Sequence, residues 1–132
     1  MKDNISDMLT RIRNGQKAHL LVIHLFWPTP AVCEQILMIL QREGYIRGFS
    51  KGIVQDKKCF LVFLKYTEFQ SPIIKKIVRV SKPGKRIFSK AKHLWKIRAG
   101  SGNLIISSPQ GLITDHDARF FNIGGEILFY IE

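Results

Sequence analysis

Ser107, His116 and Asp117 supply the letters of a nucleophilic triad, which needs a hydroxyl, a base within hydrogen-bond reach and a group that orients the base. They do not supply its pattern. No G-x-S-x-G elbow surrounds the serine, and His116 falls in the first turn of an expected helix, where it reads as an exposed polar residue. Asp115 and Asp117 are the closest pair of carboxylates to that histidine, and both explain themselves as helix-capping residues. Gly100-Ser101-Gly102 lacks the remaining glycine and the Lys-Ser or Lys-Thr ending of a phosphate-cradling loop. Cys33 and Cys59 form no C-x-x-C and have no histidine at ligand spacing, so they read as small buried hydrophobes in a reducing compartment rather than as a zinc site. The sequence therefore calls for no metal, no cofactor and no catalytic residue, and a Ser/His hydrolase stands only as a remote alternative.

Charge offers a stronger lead. The chain has 132 residues, 21 Lys plus Arg against 10 Asp plus Glu, and a formal net charge of +11, yet 45% of it is apolar and 11% aromatic. That composition excludes a disordered basic tail, and the length excludes a large multidomain enzyme. The acids stop at Glu68 and resume at Asp115, so Phe69 to Thr114 holds Lys75, Lys76, Arg79, Lys82, Lys85, Arg86, Lys90, Lys92, Lys96 and Arg98 with no carboxylate among them. Solubilising surfaces normally intersperse both signs, so an acid-free stretch on a folded chain points to a polyanion, foremost a nucleic acid. RNA suits the neighbouring residues. The A-form minor groove is wide, shallow and lined with 2′-hydroxyls, which a small hydroxyl on a tight turn can reach; Ser107 and Ser108 sit on such a turn, bounded by Gly111. The plainer reading of that segment is simply a turn.

No membrane role is expected. The apolar stretch Leu20 to Leu40 is broken by His24, Pro28, Pro30, Glu34 and Gln35, and most of the basic run lies among turns and strands rather than on one amphipathic helix. Met1 to Ile5 shows neither a secretory signal nor an Arg-rich transit peptide.

These groups must be positioned by an α+β (α/β) chain of two small lobes. Ile5, Met8, Leu9 and Ile12 recur at helical spacing behind Asp3 or Asn4 as cap, with Asn14-Gly15 expected as a left-handed stop; the polar side carries Thr10, Arg11, Arg13 and Asn14. Leu20 to Phe26 reads as a buried strand. Pro30 opens a second helix along Val32, Ile36, Ile39 and Leu40, ending at Glu43-Gly44. Ile46 to Val54 and Cys59 to Tyr66 read as a hairpin joined by Gln55 to Lys58, which completes an αβαββ lobe over residues 1–70. Residues 71–132 form a mostly antiparallel β lobe with one short helix. There Lys82-Pro83-Gly84-Lys85 predicts a type II turn with cations at an exposed tip. Leu104 to Ile106 is apolar and leads into the Ser107 to Gly111 turn, Thr114 and Asp117 predict a capping box on a helix through Phe121 that closes near Gly124-Gly125, and Glu126 to Ile131 ends as a strand.

Five motifs then fall in collinear order: Asp7-Met-Leu-Thr-Arg-Ile-Arg-Asn-Gly15, Arg42-Glu-Gly-Tyr-Ile46, Arg79-Val-Ser-Lys-Pro-Gly-Lys-Arg-Ile87, Gly111-Leu-Ile-Thr-Asp115 and Gly124-Gly-Glu-Ile127. Together, from near residue 3 to the end, they closely resemble the bacterial-type small-subunit ribosomal protein S-eight family. The resemblance implies a non-enzymatic protein that binds the central domain of small-subunit ribosomal RNA, chiefly through its C-terminal lobe, and supports assembly beside neighbouring small-subunit ribosomal proteins; messenger-RNA repression is the family's second role. By position, the family's Ser-Thr-Ser-x-Gly turn becomes Ser107-Ser108-Pro109-Gln110-Gly111, in which Pro109 has neither hydroxyl nor N–H to donate. The family's usual tyrosine after the Arg-Ile pair is Phe88, which keeps a stacking face and loses the phenol.

The RNA-contacting set expected on this basis is Thr10, Arg11, Arg13, Asn14, Lys82, Pro83, Gly84, Lys85, Arg86, Phe88, Ser107, Ser108, Gln110 and Gly111. Homo-oligomerisation is not expected. Frequent Ile, Phe and Lys, the missing transit peptide and the departures at Phe88 and Pro109 favour an organelle-encoded mitochondrial protein over a bacterial or plastid one.

Overall fold

The computed structural model describes residues 3–26, 31–94 and 102–132. The Pro-Thr-Pro break at 28 to 30, and Lys96, Arg98, Gly100 and Ser101, lie outside them. The chain divides into two compact units, one ending at Ile74 and the other running from Lys75 to Glu132.

In the first unit, helix α1 (Asn4–Lys17) starts at Asp3, whose carboxylate accepts from the Ser6 backbone N–H at 3.1 Å. Its buried stripe is Met8, Leu9, Ile12, Gly15 and Gln16. The stop expected at Asn14-Gly15 is not there. The helix continues to Lys17, and the left-handed residue is His19, with φ 58°. Gly15 is required by space: a Cβ on it would lie 2.5 Å from Ile23 Cγ2 and 3.0 Å from Leu64 Cδ1. Buried Gln16 accepts from Ile74 N at 3.1 Å and donates to the Lys65 carbonyl at 3.3 Å, so no polar group is left stranded there.

Strand β1 (Val22–Phe26), helix α2 (Ala31–Arg42), and strands β2 (Ile46–Val54) and β3 (Lys57–Leu64) follow, with β3 central in an antiparallel β1-β3-β2 sheet. Ile23 and Leu25 of β1 and Phe60, Val62 and Leu64 of β3 are buried, as are Ile36, Leu37, Ile39 and Leu40 of α2. Both helices pack on the sheet. The β2–β3 connection is shorter than expected. Only Gln55 and Asp56 turn, with φ 52° and 61°, a left-handed pair whose twist suits a two-residue hairpin better than a four-residue loop would. Cys33 and Cys59 are buried and unpaired. Burial, aided by the negative charge of Asp7, pushes the Cys33 thiol up to about 11.

The second unit contains β4 (Ile77–Arg79), β5 (Phe88–Ser89), a 3-10 turn η1 (Ala91–His93), β6 (Asn103–Ser108), β7 (Gly111–Thr114), helix α3 (Asp115–Phe121) and β8 (Gly125–Ile131). The antiparallel order is β4-β8-β6-β7, with β5 also on β8. Leu94, Leu104, Ile106, Ala118, Ile127 and Tyr130 form its core. The capping box is present: Thr114 Oγ1 accepts from Asp117 N at 3.2 Å, and the Asp117 carboxylate faces back toward the Thr114 N–H.

Two details differ from the sequence reading. Helix α3 closes at Asn122, which takes the left-handed conformation with φ 55°, rather than at Gly124-Gly125. Asp115 is no surface cap. It is 4% exposed and accepts from Leu104 N at 3.2 Å and Arg119 Nη1 at 3.1 Å, locking α3 to the start of β6. No helix among the described residues is long and apolar enough to cross a membrane.

Candidate nucleic-acid interface

The cationic turn is anchored by a buried serine. Lys82 and Lys85 exchange backbone hydrogen bonds in both directions, at 3.0 and 2.9 Å, which pinches the chain into a tight loop with Pro83-Gly84 at its tip. It is not the expected type II turn, because that geometry needs a positive φ at Gly84 and only Gly44 and Gly111 among the described glycines have one. At the base, Ser81, fully buried, accepts from the Ile87 N–H at 3.0 Å and donates to Glu126 Oε2 at 2.5 Å. Glu126 Oε1 takes Arg86 Nη1 at 3.4 Å. Arg86 is thus partly committed within the protein. Lys82 and Lys85 are exposed and make no ion pair among the described residues, so their charge is available to a ligand.

From this turn the chain enters β5, which pairs Phe88 with Glu126 and Ser89 with Gly125. On the other side of β8, Ser107 pairs with Glu126. Because β5 and β6 flank β8 on either side of Glu126, Phe88 and Ser107 are brought to one place, although 18 residues lie between them in the sequence. The result is an open groove of about 880 Å³, walled by Phe88 to Lys92, Ser107 to Pro109, Asn122 and Gly124 to Glu126. Its floor depends on missing side chains. A Cβ on Gly124 would lie 2.4 Å from the Ser89 carbonyl oxygen, and one on Gly125 would lie 2.2 Å from that of Ser107. Phe88 is 67% exposed beside the groove, and exposed Lys90 and Lys92 line it.

The two serines are not equivalent. Ser108 Oγ donates to the Gly111 carbonyl at 2.8 Å and accepts from Gln110 N at 3.2 Å, which fastens the two-residue Pro109-Gln110 turn and leaves its hydroxyl proton spent. The Ser107 hydroxyl makes no hydrogen bond among the described residues and opens on the groove. Pro109 presets the backbone of the turn, and Gly111 adopts φ 110°, a conformation that penalises any side chain. Gln110 and Gly111 are exposed at the tip and do not line the groove.

Thr10, Arg11, Arg13 and Asn14 are all exposed on α1, in the other unit, with Arg11 Nε paired to Asp7 at 3.2 Å. Sequence reasoning did not nominate Ser89, Lys90, Lys92, Asn122, Gly124, Gly125 or Glu126 for the site. The lysines were visible in the acid-free run and the glycines as a Gly-Gly pair, but nothing local joined them to Ser107.

The arrangement pairs a cationic rim with an aromatic face and a free hydroxyl, means of gripping phosphate, base and ribose. Among the described residues, it holds no nucleophile hydrogen-bonded to a base. The profile of the family described as Ribosomal protein S8 matches residues 3–131. The chain is 47% identical to the small ribosomal subunit protein uS8 of Novosphingobium aromaticivorans, with 97% of this chain and 95% of the relative aligned. It is 45% identical to that of Erythrobacter litoralis over the same shares, and 46% identical to that of Gluconobacter oxydans, with 97% and 96% aligned. By these matches over nearly its full length, the chain belongs to the ribosomal protein S8 family, whose members are structural proteins and not enzymes.

Proposed function

We propose that the protein is a structural constituent of the small ribosomal subunit that grips the central domain of its ribosomal RNA and supports assembly there. The observation that carries this reading is the meeting of Phe88, the unengaged Ser107 hydroxyl, Lys90 and Lys92 in one groove. Lys82 and Lys85 attract the phosphate backbone. Ser107 reads a ribose or base edge, and Phe88 offers a stacking face. Ser108, Pro109, Gln110 and Gly111 shape the turn; Pro83 and Gly84 shape the cationic tip; Arg86 ties that tip to Glu126 of β8. Thr10, Arg11, Arg13 and Asn14 make a secondary contact from α1.

Filter binding to a central-domain transcript tests this. With about six phosphates neutralised, log affinity falls against log salt with a slope of about four to five, and a flat response overturns the reading. Ser107→Ala costs about 1 kcal/mol of specific binding, the worth of one hydrogen bond. Lys82→Ala or Lys85→Ala weakens specific and nonspecific RNA alike. We further propose a mitochondrial ribosome as its setting, supported by the Ile-, Phe- and Lys-rich composition and the departures at Phe88 and Pro109 from the tyrosine and serine usual in the family. Co-sedimentation with mitochondrial small subunits after a high-salt wash is the expected result, and its absence there refutes that setting.

A further inference from the structure

One feature of the second unit is left unused by the groove. Phe120 and Phe121, the last two residues of α3, are 76% and 62% exposed, far from the burial expected of aromatic side chains on a helix that covers a core. They hold each other edge to face, with ring centroids 4.9 Å apart and planes at 83°. Such an edge-to-face pair presents an exposed aromatic corner.

Its place indicates what binds there. The next residue, Asn122, lines the groove, and α3 packs against η1, whose Lys92, with Lys90 just ahead of it, lines the groove wall. The aromatic corner is therefore continuous with the proposed RNA surface. The charge around it suits the same ligand. Residues 75–132 carry eleven basic and four acidic side chains. All four carboxylates are engaged within the protein: Asp115 by Leu104 N and Arg119, Asp117 in the capping box, Glu126 by Ser81 and Arg86, and Glu132 by the Tyr130 hydroxyl. Asp115 and Glu126 are also charge-compensated by their arginines, and the basic side chains of this stretch outnumber the acidic ones, so the local balance favours a phosphate chain.

We propose that Phe120 and Phe121 form a second stacking platform, which takes an unpaired base of the same RNA just beyond the groove. The inference rests on the RNA-binding reading and extends its footprint along α3. A base stacked on an aromatic ring gives sequence-tolerant affinity, which adds grip without adding base specificity.

The test uses the full chain and the central-domain transcript, with F120A/F121A, F120L/F121L and F120Y/F121Y. Because both rings are exposed, the variants are expected to melt as wild type does. The alanine pair weakens binding about ten-fold or more, the tyrosine pair stays within about two-fold, and the leucine pair, apolar but without a π face, follows alanine. At least one base gains reactivity toward dimethyl sulfate in the alanine-variant complex. Wild-type affinity in the alanine or the leucine pair overturns the proposal, as does a defect that appears only when other ribosomal proteins are added, which would assign the corner to a protein partner. If wild type binds and Ser107→Ala weakens it while the phenylalanine variants do not, this inference alone fails. If wild type itself does not bind the transcript, the RNA-binding reading fails and this one with it.

Discussion

The two units use glycine and buried polar groups for opposite ends. In the first, Gly15 lets α1 lie against Ile23 and Leu64, and buried Gln16 ties the helix to Lys65 and Ile74, so both serve the packing of an apolar interior. In the second, Gly124 and Gly125 let the β5 and β6 backbones crowd β8 beneath an open groove, and buried Ser81 reaches through Glu126 to hold the cationic turn. One unit hides its special positions in its core. The other places them directly under the groove proposed to take RNA. The lesson is that a close backbone approach identifies a site only when the surface above it is empty.

The most damaging way to probe this contrast is Gly125→Ala. Its Cβ would meet backbone rather than a side-chain tip, so nothing nearby can yield cheaply; the cost is about 3 kcal/mol or more, with RNA binding lost alongside stability in paired melting and filter-binding measurements. If Gly125→Ala loses RNA binding but melts as wild type does, the glycine serves the ligand alone. Gly15→Ala comes next, at about 1–2 kcal/mol, because the ends of Ile23 and Leu64 can shift. Its binding to RNA under native conditions stays near wild type, and a large binding defect would show that the two units are not separable in function.

A smaller effect comes from Cys33. The unfolded thiol ionises near 9 and the folded one near 11, so the folded state holds its proton longer. Stability contributed by this group is complete below pH 9 and falls as pH rises toward 11. The stability advantage of wild type over Cys33→Ala, measured by denaturant unfolding, should shrink across that window; an advantage that grows refutes the burial argument. The smallest effect is expected at Gly84. Its φ is not in the left-handed region and a Cβ would touch nothing within 4 Å, so Gly84→Ala should leave melting and RNA affinity within about 0.5 kcal/mol of wild type.

That last substitution also shows where sequence reasoning reaches its limit. Pro83-Gly84 is a strong local signal for a type II turn, yet the paired backbones of Lys82 and Lys85 close the loop another way. Asn14-Gly15 is an equally strong stop signal, overridden because α1 gains more by packing on Ile23 and Leu64 than by ending there. Signals supported by several residues at one period fared better, as with the stripe of α1, the apolar run of α2 and the Thr114–Asp117 capping box. For the candidate site, Phe88, Ser107 and the cationic turn were nominated through the family pattern, and the structure places Phe88 and Ser107 on one groove. Ser108's commitment to its own turn, the burial of Asp115 and the exposure of Phe120 and Phe121 were not, because each depends on which residue a distant strand places alongside.

The position of β8 carries a consequence for biogenesis. It follows β4, β5 and β6 in the chain, yet each of those strands pairs with it. While the protein is being made, Lys82, Lys85, Lys90 and Lys92 emerge from the exit tunnel before their groove can close. A nascent chain therefore carries the charge of this unit without its groove until Gly125–Ile131 is released. Premature termination upstream of that strand would leave a product that retains the charge and lacks the shape, which makes completed synthesis a condition for the selective binding proposed above.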